Sequence, residues 1–114
     1  MSNAGEQAEH SAARYLLKQG LKPVAQNYRC RFGEIDLIMQ DGMTLVFVEV
    51  RLRRNAAFGG AAASIDTHKQ QRLIRTAQQY LGSLAHTPPC RFDAVLLDDA
   101  QGGGLRWLKN AFEA

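Results

Sequence analysis

Gly33-Glu34-Ile35-Asp36-Leu37-Ile38-Met39-Gln40-Asp41-Gly42-Met43-Thr44-Leu45-Val46-Phe47-Val48-Glu49-Val50-Arg51 is the stretch that decides the fold. Its two apolar runs flank Asp41-Gly42, a turn signal, because glycine supplies the positive φ that a tight hairpin needs. Side chains in a strand alternate faces, so Glu34 and Asp36 fall on one face and Ile35, Leu37 and Met39 on the other. By the same rule Glu49 and Arg51 share a face of the second strand, opposite Val46, Val48 and Val50. Both faces are then largely apolar, which predicts a central sheet covered on both sides. Carboxylates inside such a sheet are costly unless something compensates them. Asp36 and Glu49 can approach across the hairpin, where two carboxylates repel and raise each other's pKa. A hard divalent cation such as Mg²⁺ relieves that repulsion, since it takes oxygen ligands. It would also polarise a phosphodiester.

Outward from the hairpin, residues 5–19 read as an amphipathic helix ended by Gly20, with Ala8, Ala12, Ala13, Tyr15 and Leu16 as its apolar stripe. Glu9 sits on or beside that stripe, either facing the interior or reaching water from its border. Val24 to Arg31 contains a short strand after Lys22-Pro23. Asn55 to Ser64, rich in Ala and Gly around Phe58-Gly59-Gly60, reads as a loop. Phe58 either packs there or wedges against a base. Ser64 or Asp66 caps a second helix running to about Leu81, with Leu73, Ile74, Ala77, Tyr80 and Leu81 facing the core and Lys69 on the border. Pro88-Pro89 separates it from a core strand over Arg91–Leu97, followed by a turn over Asp98–Gly104 and a short strand at Leu105–Leu108. The order helix, strand, hairpin, helix, strand, strand predicts an α/β fold, a mixed central sheet flanked by helices.

At 114 residues the chain is long enough for one core. The domain is expected over residues 5–114, with 1–4 read as an expression remnant or a disordered N-terminus. No apolar run approaches the roughly 20 residues that span a bilayer, and no signal peptide opens the chain, which together predict no membrane partner and a cytoplasmic location. Cys30 and Cys90 lack metal-ligand spacing; they read as free thiols, one disulfide being the alternative. His10, His68 and His86 read as surface residues, and Trp107 and Phe112 as core seals rather than base-stacking groups. Asp93, between Phe92 and Ala94, either joins the acidic site or pairs at a strand end.

The net charge is +3 with a pI near 9.1. Arg29 and Arg31 precede the first acidic strand, Arg51, Arg53 and Arg54 end the second, and Lys69, Arg72 and Arg75 follow on the second helix. Basic groups around an acidic centre suit a nucleic acid approaching a bound metal, with Arg31, Arg53, Arg54 and Arg72 as its contacts. A merely solvated basic surface is the alternative reading.

The acids and Arg51 resemble the PD-(D/E)xK nucleases of the restriction-endonuclease-like fold. Asp36 matches the first acid, Glu49 the second, and Arg51 the place where that superfamily usually carries Lys. Glu9 matches the helix acid of its Holliday-junction resolvases. More closely, the chain is similar to the YraN-type family of small uncharacterised bacterial proteins. The similarity runs through Glu9 with Ala12-Ala13 and Tyr15-Leu16, Asn27-Tyr28-Arg29, both acidic strands with Arg53, Phe58-Gly59, Lys69, Arg72-Leu73, Tyr80-Leu81, Arg91-Phe92-Asp93 and Asn110-Ala111-Phe112.

The resemblance implies a metal-dependent endonuclease hydrolysing phosphodiesters in DNA, more readily than RNA. Glu9, Asp36 and Glu49 would hold Mg²⁺ or Mn²⁺, Arg51 would act on the phosphate, and Glu34 and Lys69 would support the site. It also implies a homodimer, by analogy with enzymes that cut two strands. Arg51 departs from the pattern: arginine grips phosphate bidentately but does not accept a proton at any ordinary pH. Lys69 is the alternative amine. A non-catalytic nucleic-acid-binding module on the same scaffold, and a structural partner in DNA processing, are the competing readings.

Overall fold

The computed structural model describes residues 3–52 and 65–113. The expectations for Arg53, Arg54, Phe58 and the Asn55–Ser64 loop concern residues outside these. The elements are α1 (Ala4–Lys18), β1 (Lys22–Cys30), β2 (Gly33–Asp41), β3 (Thr44–Leu52), α2 (Thr67–Leu81), β4 (Cys90–Leu97) and β5 (Arg106–Phe112). The five strands form one sheet in sequence order. Neighbours are antiparallel except β3 and β4, which are parallel and joined through α2. The mixed sheet flanked by two helices is the architecture that the hairpin and the element order imply.

Each helix seals one face. Ala8, Ala12 and Leu16 of α1 pack on Leu37, Met39, Val46, Val48, Val95 and Leu97. Leu73 and Ala77 of α2 pack on Ile38, Phe47, Phe92, Ala94 and Leu96. The α2 side is the aromatic one: Phe47, Phe92 and Phe112 stack in series, and Tyr80 meets both Phe47 and Tyr28 edge-on. Such contacts add to area burial because the ring edge is positive and the face negative. Asn3 caps α1 through the Glu6 amide, so the helix starts at Ala4, one residue earlier than expected, and ends one earlier at Lys18. Asp66, not Ser64, caps α2 through the Lys69 amide. A cap of this kind stabilises a helix by about 1 kcal/mol.

The hairpin between β2 and β3 closes with Asp41 opposite Thr44 and Gly42 at φ 61°. Two flanking strands exceed the sequence expectation. β1 begins at Lys22 and tolerates Pro23 because it is an edge strand. β5 continues past Leu108 to Phe112 because Asn110, at φ 53°, absorbs a bulge opposite Phe92–Ala94. The same bulge lets the Asn110 amide donate to Asp93, whose carboxylate also accepts from Arg91 Nε and Trp107 Nε1. Asp93 is therefore a strand-pairing residue of the interior, and Trp107 packs on the α1-side core while anchoring it. Arg91 reaches on to Asp41 at 2.9 Å and so ties β4 to the hairpin end. Cys30 and Cys90 are free thiols.

One expectation fails in an informative way. Ile35 does not share a face with Leu37 and Met39: it packs on the α2 side, they on the α1 side. The alternation slips at Asp36, and in β1 it slips beside it, since Ala25 and Tyr28 both pack on the α2 side. Asn27 lies there at φ 53°, between the pairs Gln26–Leu37 and Tyr28–Ile35. Asparagine tolerates that left-handed backbone better than most residues. The strand pair thus turns over at one place, and a regular period-two reading does not foresee it.

Gly33 begins β2 at φ 150°, where a Cβ would meet Thr76 Oγ1 at 3.2 Å. Thr76 is fully buried and donates to the Arg72 carbonyl, so it has no room to yield. Gly33→Ala is expected to destabilise the protein by about 1–3 kcal/mol through backbone strain and this contact. Urea denaturation checks it, and an unchanged midpoint would contradict the close approach of α2 to β2.

Candidate metal and phosphodiester site

β2 and β3 stop pairing at Leu37–Val48. Beyond that point the Val50 amide donates to Asp36 Oδ2 at 2.8 Å instead of to a main-chain carbonyl. A side chain has entered the ladder, and the two strands splay at the place where the alternation slips. The splay opens a cleft of ≈ 170 Å³ lined by Gly33, Glu34, Asp36, Glu49, Lys69, Arg72 and Leu73.

Asp36 and Glu49 meet in this cleft, where a proton on one carboxyl lets it hydrogen-bond the other. Burial is the main reason the Asp36 carboxyl is pushed up to about 9; the hydrogen bond and charge of Glu49 push the same way, and so does the charge of Glu9. The Val50 amide opposes them. Glu49 is 7% exposed. Lys69 Nζ lies 3.3 Å from Glu49 Oε2, an ion pair by distance, although the oxygen accepts no well-angled hydrogen bond. Lys69 reaches it from the first turn of α2, which the Asp66 cap starts at that level.

Glu9 is half-buried at the border of the α1 stripe. Its pKa is raised, chiefly by burial, while a hydrogen bond from Asn27 works against the rise and the charges of Glu34 and Glu6 add to it. Glu9 thus stands within electrostatic reach of Asp36 but is held by Asn27. Among the described residues no three His, Cys, Asp or Glu side chains come close enough together to hold one ion, so Glu9, Asp36 and Glu49 are not assembled as a three-acid cluster. Glu34 pairs with Arg29 at 3.4 Å, because the register sets Arg29 directly opposite it. Arg31 instead lies over the Phe32 ring, and Arg72 lines the cleft. Arg51 is half-buried on β3 opposite Leu96, and the described lining of the cleft does not include it.

A divalent cation fits the pair Asp36–Glu49. Both donors are oxygens, and the contact between them is held together in its place by a proton. Mg²⁺ commonly takes one or two carboxylates and completes its shell with water and substrate oxygens. Asn27 and Thr76 were the residues whose role composition and spacing did not reveal. For the first the only signal was its place in the Asn27-Tyr28-Arg29 run of the family resemblance, which does not show that it lies opposite Asp36.

The sequence comparisons agree with this geometry in extent. A family model described as uncharacterised protein family UPF0102 matches residues 8–97, from the first buried residue of α1 to the end of β4. The chain belongs to that family. A UPF0102 protein of Methylobacillus flagellatus is 55% identical over 114 residues, 100% of both chains. One of Janthinobacterium sp. is 56% identical over 97% of this chain and 88% of its own, and one of Psychromonas ingrahamii 51% identical over 98% and 91%. Among the described residues no helix is long and apolar enough to cross a membrane.

The Asp36 shift has a consequence for stability. In the unfolded chain its carboxyl titrates near 3.8 and in the metal-free fold near 9, so unfolding releases a proton anywhere between. Stability is greatest below the lower value and falls as pH rises through the upper one. Asp36→Asn keeps an acceptor for Val50 and a donor for Glu49 without that proton. In EDTA the variant is expected to melt several degrees higher than wild type at pH 8 and to lose less stability between pH 5 and 9. Parallel pH profiles would contradict the shared proton.

Proposed function

We propose that this protein is a metal-dependent phosphodiesterase acting on nucleic acid, DNA more readily than RNA. The observation that carries the reading is the buried Asp36–Glu49 contact lying under two cationic side chains, Lys69 and Arg72, in one cleft. A structural protein gains nothing from two interior carboxylates that cost stability, whereas a hydrolase uses them. Asp36 and Glu49 would hold Mg²⁺ or Mn²⁺, which when bound supplies Lewis-acid polarisation of a phosphoryl oxygen.

The chain's own groups divide the remaining work. The Val50 amide fixes the rotamer of Asp36 and leaves its other oxygen for the cleft. Lys69, which lies beside Glu49, would place its ammonium on a phosphate oxygen and stabilise the charge that develops as water attacks phosphorus and the ester P–O bond breaks. It occupies the role that Lys holds on the strand in the resembling nucleases, whereas Arg51 contributes charge without a proton-accepting site. Arg72 offers a planar fork for the adjacent phosphate. Glu9, held by Asn27 and sensed by Asp36, fits a role through an intervening water. The reading rests on this cleft.

The test is incubation with branched, single-stranded and duplex DNA in Mn²⁺. Cleavage is expected from wild type, with rates at least about 100-fold lower for Asp36→Ala, Glu49→Gln and Lys69→Met. Arg51→Lys is expected to change the rate less than Lys69→Met does. Cleavage that survives in Asp36→Ala would discard the site. Binding that weakens steeply with salt and is never followed by cleavage would leave the non-catalytic module.

A further inference from the structure

A second feature adjoins the cleft. Phe32, at the tip of the β1–β2 hairpin, forms a groove of ≈ 430 Å³ with Arg75, Gln78 and Gln79 of α2. The guanidinium of Arg31 lies 4.8 Å above the Phe32 ring centroid. The hairpin tip approaches α2 at Gly33 and Thr76, and the groove begins one residue from the cleft on the hairpin, at Phe32, and one turn from it on α2, at Arg75. Lys69, Arg72, Arg75 and Gln79 are spaced by three or four residues and therefore run along one side of α2. From Lys69 to Gln79 that ribbon is roughly 15 Å long at 1.5 Å per residue.

From this arrangement we infer that the groove is a track for an unpaired strand of nucleic acid leading into the cleft. The inference rests on the phosphodiesterase reading and narrows its substrate to nucleic acid with unpaired bases beside the reacting phosphate. Arg72 and Arg75 make no ion pair or side-chain hydrogen bond within the described residues, so two adjacent cations face an anion from outside. Among the described residues no acid lines the groove to repel it. An Arg stacked on an aromatic ring presents a flat surface that suits a nucleobase face, and base stacking of this kind is tolerant of sequence. The amides of Gln78 and Gln79 carry both donors and acceptors, which matches base edges rather than phosphates. In a duplex the base faces are covered by their neighbours, and the platform would meet only the backbone.

Fluorescence anisotropy in EDTA tests the track without cleavage, using the wild-type chain with a labelled oligothymidylate single strand and a blunt duplex of equal length. The single strand is expected to bind about tenfold more tightly than the duplex. Phe32→Leu and Arg75→Glu are each expected to weaken it about tenfold, and Arg75→Glu to flatten the salt dependence, while Mn²⁺ affinity measured by calorimetry stays unchanged. Arg75 is exposed, so its variant stays folded even if Phe32→Leu does not. Preference for the duplex, or single-strand affinity indifferent to both substitutions, would overturn the track. Track-dependent binding without cleavage in Mn²⁺ would uphold the track and remove the hydrolase. Cleavage indifferent to Phe32 and Arg75 would remove the track alone.

Discussion

Two carboxyl groups in hydrogen-bonding contact, at the point where β2 leaves β3, organise this protein. Their contact survives burial because a proton sits between them. Much of the surrounding structure serves to hold them there. The Val50 amide captures Asp36, and Asn27 takes the left-handed backbone that turns β1 over beside it. Lys69 is brought to Glu49 by a capped helix start. Gly33 allows that helix to lie against the strand.

On the opposite side of the sheet, Asp93 is an interior acid of another kind, fully satisfied by Arg91, Trp107 and the Asn110 amide. The contrast is instructive. Asp93 sits among donors and locks three strands through β5 and the hairpin end, whereas Asp36 sits beside another acid and has one amide donor. Burial among donors therefore produces a fastener in one place, and partial burial beside a second acid a poised, proton-holding group in the other. Two stacks of aromatic and aliphatic packing, one per face, supply the apolar burial that tolerates the second.

Much of this was legible in the residues. The Asp41-Gly42 turn and the two apolar runs specify the hairpin, and helical spacing specifies both buried stripes, because these are local signals of fixed period. The approach of Asp36 to Glu49 followed from the same hairpin. The face of Ile35 did not, since alternation presumes a regular ladder and a side chain had entered this one. The pairing of Glu34 with Arg29 was not foreseen, because it depends on where β1 ends and the Arg31-Phe32 turn begins, and the sequence bounded that strand only loosely. Glu9 was placed on the stripe's border correctly, yet its tether to Asn27 joins two elements far apart in the chain. The fold and the acidic pair were thus readable; the way long-range contacts distribute the other charges around them was not.

The shared proton is the point on which the proposed metal site and the stability cost both turn. Titrating Mn²⁺ into the protein at about pH 7.5, in two buffers of different ionisation enthalpy, measures it directly. The expected result is release of about one proton per ion bound, lost together with most of the affinity in Asp36→Asn. Identical heats in the two buffers, or Mn²⁺ binding indifferent to Asp36, would contradict it.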